Sequence, residues 1–336
     1  KRKLKPTKDF IAFTAFVSFF PQLVAGPIER ATNLLPQFYK RRIFNYSKAV
    51  DGMRQILWGL FKKIVIADNC AEFANLVFNN SPDLGGSTLV LGVIFFTIQI
   101  YGDFSGYSDI AIGTARLFGF NLMQNFAFPY FSRDIAEHWR RWHISLSTWF
   151  RDYLYIPLGG SKNKKTRNIL IIFIVSGFWH GAEWTYIIWG ALHGLYILPL
   201  FLLNRNRMHM DIVAKGRSLP TFKELYKMTI TFGLIVFAFI FFRADNISHA
   251  FSYISEIFSA SLFSLPAHFG GERALMTIFI VVVFMLVEWL QREKKHALDL
   301  SLIRGGRRVR WGIYLSIILA IISFGGQQQE FIYFQF

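Results

Sequence analysis

The apolar run Ile169–Leu203, closed at both ends by basic clusters, constrains this chain more than any other feature of it. The clusters at 162–167 (KNKKTR) and within Arg205–Lys227 belong on the same, cytoplasmic side of a membrane. The run must therefore enter and return, as a helical hairpin whose turn falls near His180. From Asn168 to His180 a helix climbs ~18 Å, a little over half of a ~30 Å hydrocarbon core. An imidazole at that depth is costly unless it faces a bundle interior or a water-filled path, which makes His180 the first candidate for chemistry.

The chain has 336 residues, of which 53% are hydrophobic and 18% aromatic, and this places it among polytopic membrane proteins. Its net charge of +16 falls in short clusters between apolar runs. That pattern reads as membrane topology, with no nucleic-acid partner. The single cysteine, Cys70, allows neither an internal disulfide nor a cysteine-based metal site. Neither H-E-x-x-H nor G-x-S-x-G occurs, so no metal ligands and no serine nucleophile are assigned. Lys1–Lys8 is a basic loop without the cleavage site of a signal peptide, and is read as the possible cut edge of a longer protein.

Further membrane-length runs are expected at Phe10–Gly26, Ser87–Tyr101, Met228–Phe242, Ala274–Leu290 and Val309–Gly326. With Arg292–Arg310 also cytoplasmic, Asp245–Glu272 lies outside and the terminal FIYFQF ends on the outer side. Leu57–Phe78 carries Lys62, Lys63 and Asp68 and reads as an interfacial or partly buried helix. Gly102–Phe120 holds Asp103, Asp109 and Arg116 among glycines, and reads as irregular backbone lining an internal chamber. In Ile135–Tyr153, residues Ile135, Trp139, Trp142, Leu146, Trp149 and Tyr153 share one stripe at about 100° per residue. The expectation is one basic, Trp-rich amphipathic helix at the membrane interface or on a chamber floor, with His143 at the edge of its stripe.

Of the other histidines, His209, His249, His268 and His296 read as solvated surface residues, and His138, about 140° around the helix from His143, faces elsewhere. On one straight helix His193 would lie about 220° from His180, which suits packing or a hydrogen bond to a neighbouring helix. Two histidines without a metal set suit acid and base work on a hydroxyl. The residues alone leave a channel or transporter open.

The runs HWRRWHISLSTWFRDYLYIPLGG (138–160) and SGFWHGAEWTYIIWGALHG (176–194) resemble the membrane-bound O-acyltransferase superfamily. FFPQLVAGPI (19–28), YGDFSGYSDIAIG (101–113) and the final FIYFQF are similar to its bacterial branch of alginate O-acetyltransferase membrane components. The resemblance implies a single all-α domain over 1–336, lacking the family's N-terminal helices, with helices around an internal tunnel and with interfacial and re-entrant pieces. It implies a multi-pass protein of the bacterial plasma (inner) membrane that moves an acetyl group from a cytoplasmic thioester, acetyl-CoA or an acyl carrier, towards a polysaccharide outside. No bound cofactor is implied; the partners are the lipid bilayer and a secreted or periplasmic acetyltransferase. His180 would be the principal catalytic residue and His143 its partner. Tyr333 could relay the acyl group, since F-x-Y-x-x-F is similar to the accessory peptide of D-alanyl transfer systems. His193, Trp179, Asp103, Arg140, Arg141, Arg151 and Asp152 would support the site. D-alanyl transfer to teichoic acid, and a non-enzymatic export component, are the alternatives.

Overall fold

A computed structural model describes residues 7–267, 269–300 and 306–332 of the chain. Among the described residues there are thirteen α-helices and no strand. In order they are α1 (Phe10–Val17), α2 (Ala31–Tyr39), α3 (Tyr46–Phe61), α4 (Asp68–Asn79), α5 (Gly86–Leu117), α6 (Ile135–Arg141), α7 (Ile144–Phe150), α8 (Lys165–His180), α9 (Trp184–Leu202), α10 (Phe222–Arg243), α11 (Ile247–Ile257), α12 (Glu272–Leu290) and α13 (Gly306–Ser323). Four of them, α5, α9, α10 and α12, are long and apolar enough to cross a membrane. The protein is an all-helical, polytopic membrane protein.

The expected hairpin forms as α8 and α9, with Gly181–Glu183 as its turn. Glycines let the two helices touch backbone to backbone: a Cβ on Gly177 would sit 2.3 Å from the Tyr186 carbonyl oxygen, and one on Gly190 would sit 2.2 Å from that of Phe173. Such small-residue contacts replace the hydrophobic drive that helices lack in lipid. The basic clusters gather at one end of the bundle. Lys165 Nζ donates to Asn204 (3.1 Å), the Gly216 amide to Glu293 (2.7 Å), and Arg292 Nε to the Val213 carbonyl (2.9 Å). At the opposite end the Gly86 amide donates to Ser261 Oγ (2.7 Å) and the Ala267 amide to Thr88 (2.9 Å), which places 261–267 away from the basic clusters, as expected.

Several expectations are corrected. The run Phe10–Gly26 is not one span: α1 stops after eight residues, where the Thr14 and Ser18 hydroxyls bond back to the backbone and Pro21 opens a separate 3₁₀ turn. Gly102–Phe120 is not irregular, because Ser87–Tyr101 runs straight on through it in the 32-residue α5. Of the two readings of Leu57–Phe78, interfacial or partly buried, the structure bears out the second. The helices α3 and α4 are joined through a π-helical turn, Lys62–Ala67, and pack along α5.

The charges that argued against a simple membrane span are satisfied across this seam. Lys62 pairs with Asp109 at 2.5 Å and donates to Ser105, while Lys63 reaches Asp68 and Asp103, each at 2.9 Å. Removing one member of a buried pair of this kind typically costs about 3–5 kcal/mol, because its partner is stranded. His296 is also buried, at 3% exposure, against Asp51 (3.0 Å), so it is not a solvated surface residue. His249 is half-buried on Ser81 (2.9 Å) and His209 half-buried beside Lys227 (3.2 Å). His268 and Tyr333 lie outside the described residues.

Candidate active site

The segment Ile135–Tyr153 is not one helix. It breaks at Trp142–His143 into α6 and α7, and His143 adopts a left-handed backbone (φ 41°) that bulky residues rarely take. Its surroundings hold it there: the Trp142 amide closes α6 onto the His138 carbonyl (2.8 Å), and the Ile144 amide donates to the Asn125 carbonyl (2.9 Å). Trp142 and His138 are buried in the core rather than at an interface, with His138 packed flat against Trp142 and Tyr130.

The break turns His143 inward onto Asn125. Asn125 Oδ1 takes the Ser145 amide (3.3 Å) and Ser145 Oγ (2.9 Å), and lies 3.0 Å from His143 Nδ1, while its Nδ2 donates to Ser108 Oγ (3.0 Å). A backbone amide can only donate, so the atom facing Ser145 is the carbonyl oxygen of Asn125. His143 Nδ1 therefore carries the hydrogen, and Nε2 presents a lone pair. The Phe104 ring of α5 meets the His143 ring edge-on at 4.6 Å.

His180 closes α8 and is half-buried. Its ring is met edge-on by Trp179 (4.9 Å), by Trp189 of α9 (5.1 Å) and by Phe242 of α10 (5.1 Å). Trp179, 48% exposed, also lies 6.3 Å from the His143 ring, so the two histidines flank one indole. The helical hairpin and the α6–α7 break thus bring together two residues widely separated in sequence.

His193 stands one turn from Trp189 and is buried at 1% exposure; its Nδ1 accepts the Trp139 indole hydrogen (3.3 Å). The turn at Gly181–Glu183 removes the straight helix on which its angle to His180 was reckoned. Arg140 donates to the carbonyls of Asn206 and His209 (both 2.7 Å). Arg141 donates to Glu137 and to the Asp211 carbonyl (both 2.9 Å). Both arginines brace the 206–211 loop. Arg151 and Asp152 pair with each other (2.8 Å) near the basic end, and Asp103, next in sequence to Phe104 on α5, pairs with Lys63 (2.9 Å) and touches neither histidine directly.

Cavities of about 710 and 480 Å³ open beside the basic segments, the first among Lys40, Arg41, Arg42, Lys48 and Arg116, the second among Arg151, Lys165 and Arg207. Neither is lined by His180 or His143, so the expected tunnel is not traced by them. Among the described residues no cluster of three or more His, Cys, Asp or Glu side chains could hold a metal ion.

Sequence reasoning missed Asn125, Ser145 and Phe104. Asn125 stands in a loop without periodicity, and its role shows only once the chain is folded around it.

Residues 2–243 match the model of the MBOAT, membrane-bound O-acyltransferase family. The chain is 34% identical to a peptidoglycan O-acetyltransferase of Helicobacter pylori, over 97% of this chain and 64% of the relative. It is 41% identical to a probable alginate O-acetylase of Pseudomonas aeruginosa, over 83% of this chain and 53% of the relative. With a teichoic acid D-alanyltransferase of Streptococcus thermophilus it shares 31% identity, over 68% of this chain and 60% of the relative. The chain therefore spans between about half and two thirds of the length of these relatives. On the extent of these matches and the helical architecture around His143 and His180, the chain belongs to the membrane-bound O-acyltransferase family.

Proposed function

We propose that this chain carries the catalytic part of a membrane O-acyltransferase that takes an acetyl group from a cytoplasmic thioester and delivers it for O-acetylation of an exported or cell-wall polysaccharide, of the alginate type. The observation that carries this reading is the pair of histidines on either side of Trp179, with the tautomer of His143 fixed by Asn125. His180 takes the proton of the attacking hydroxyl as its oxygen bonds to the thioester carbonyl carbon. The carbon–sulfur bond then breaks, and the leaving thiolate recovers the proton from the imidazolium. His143 Nε2 accepts a hydrogen bond from an amide of the donor or from a second hydroxyl of the acceptor, and so holds the two in register. Aromatic walls around His180 keep out the water that would hydrolyse the thioester.

The activities for which the relatives are named, O-acetylation in two and D-alanyl transfer in the third, support acyl transfer, and the greater identities lie with the O-acetylating pair. The reading places the protein in the bacterial inner membrane with a periplasmic partner, and assigns the donor to acetyl-CoA or an acyl carrier. Membrane vesicles supplied with radiolabelled acetyl-CoA, acetyl-carrier or D-alanyl-carrier test it. Label passing from an acetyl thioester to polysaccharide is the expected result. Label passing only from the D-alanyl carrier, or from none of the three, overturns the reading.

A further inference from the structure

The buried charges on the seam of α3, α4 and α5 have no part in the chemistry above, yet they converge on the backbone after α13. Lys63 Nζ, already paired with Asp103 and Asp68 at 2.9 Å each, donates to the Gln329 carbonyl (3.1 Å). Asp103, 2% exposed, accepts the Ile332 amide at 2.7 Å through its other oxygen. Asn69 donates to the Phe324 carbonyl (2.7 Å), and the Gly326 amide donates to the Ile64 carbonyl (3.3 Å). Ile64 lies in the π-helical turn, where the wider pitch interrupts the regular ladder and makes a carbonyl available to an outside donor. Gly326 fits so closely that a Cβ there would lie 3.0 Å from the Asn69 amide nitrogen. The segment 324–332 is thus threaded along polar groups that a membrane interior would otherwise penalise.

Its far end meets the turn of α5 that faces the candidate site. Asp103 holds Ile332, Phe104 is against the His143 ring, and Tyr107 meets Phe331 at 5.0 Å with the rings tilted by 33°. We propose that segment 324–332 is docked against the turn of α5 that meets His143, held in register by a charge latch of Lys63, Asp68 and Asp103, and that Lys63 and Asp103 are positioning residues for His143 through that turn. The activity readout rests on the acyl-transfer reading, whereas the docking does not.

The test uses the intact membrane protein with Cys70→Ala, Tyr107→Cys and Phe331→Cys, and a reducible bis-methanethiosulfonate cross-linker. Efficient cross-linking is expected in that background. Adding Asp103→Leu should lower its rate at least about tenfold and lower kcat for acyl transfer at least about tenfold. Closing the cross-link in the Asp103→Leu protein should restore most of that kcat, and reductant should remove it again, which a general loss of stability would not do. If Asp103→Leu fails to insert, Gly326→Ala, whose methyl would press on the backbone at Asp68 and Asn69, displaces the segment without removing any of the buried charges and should give the same pattern. Absent cross-linking, or a rate unchanged by both substitutions, overturns the docking, even in a preparation that transfers no acyl group. Reduced cross-linking with unchanged kcat, or no recovery on closing the link, overturns the positioning role.

Discussion

Asn125 Oδ1 stands 3.0 Å from His143 Nδ1 and at the same time caps the start of α7 through the Ser145 amide. One side chain therefore fixes both the backbone break that turns His143 inward and the nitrogen that keeps its lone pair.

Replacing Asn125 by Leu strands the Ser145 amide and hydroxyl and His143 Nδ1 together. Unsatisfied buried groups of this kind cost about 1–3 kcal/mol each. Asn125→Leu should lower thermal stability in detergent and reduce acyl transfer more than Ser108→Ala, which removes only the hydroxyl behind the amide. Unfolding midpoints and transfer rates of the two variants check the order.

The left-handed backbone at His143 gives a prediction independent of chemistry. Asn tolerates this conformation and Val does not, and a strained residue of this type costs on the order of 1–3 kcal/mol. Both His143→Asn and His143→Val should be impaired in transfer, but only the Val variant should unfold at markedly lower temperature.

How much of this was legible before folding differs from segment to segment. The α8–α9 hairpin could be read because basic clusters bracket an apolar run too long for one crossing. The break at His143 could not: no Gly or Pro marks it, and the stripe from Ile135 to Tyr153 keeps helical period throughout. Lys62 reads as part of an interfacial or partly buried helix and Asp109 as chamber-lining, but not as a pair, because each finds its partner on another element, which spacing along the chain does not reveal. Tryptophans around His180 were visible in the motif, whereas Phe242 comes from a helix well downstream and joins them only in three dimensions.

Glycine contacts in the hairpin should tolerate no side chain. Gly190→Ala places a methyl carbon 2.2 Å from the Phe173 carbonyl oxygen, whereas Gly233→Ala on α10 meets nothing within 4 Å. The first should reduce the yield of folded, monodisperse protein several-fold and the second should leave it unchanged, as size-exclusion chromatography of solubilised membranes will show.

At the basic end, the hydrogen bond from His296, helped by the charges of His296, Arg116 and Arg54, holds the Asp51 carboxyl below its ordinary value of 3.8 against the opposing effect of burial. A depressed carboxylate contributes stability that is present above the ordinary value and is lost as pH falls through the folded one. Stability of the parent should therefore fall towards that of Asp51→Asn below about pH 4, and exceed it at neutral pH. Melting curves of the two proteins across that range check the sign.

The most direct measurement is thioester consumption by the intact, membrane-inserted protein carrying His180→Ala. General-base assistance contributes about 10²–10⁴-fold, so acetyl-thioester turnover in the presence of acceptor should fall by at least about a hundredfold while the protein stays folded and monodisperse. Turnover close to the parent's by a stably inserted His180→Ala protein would contradict the assignment of this imidazole as the base.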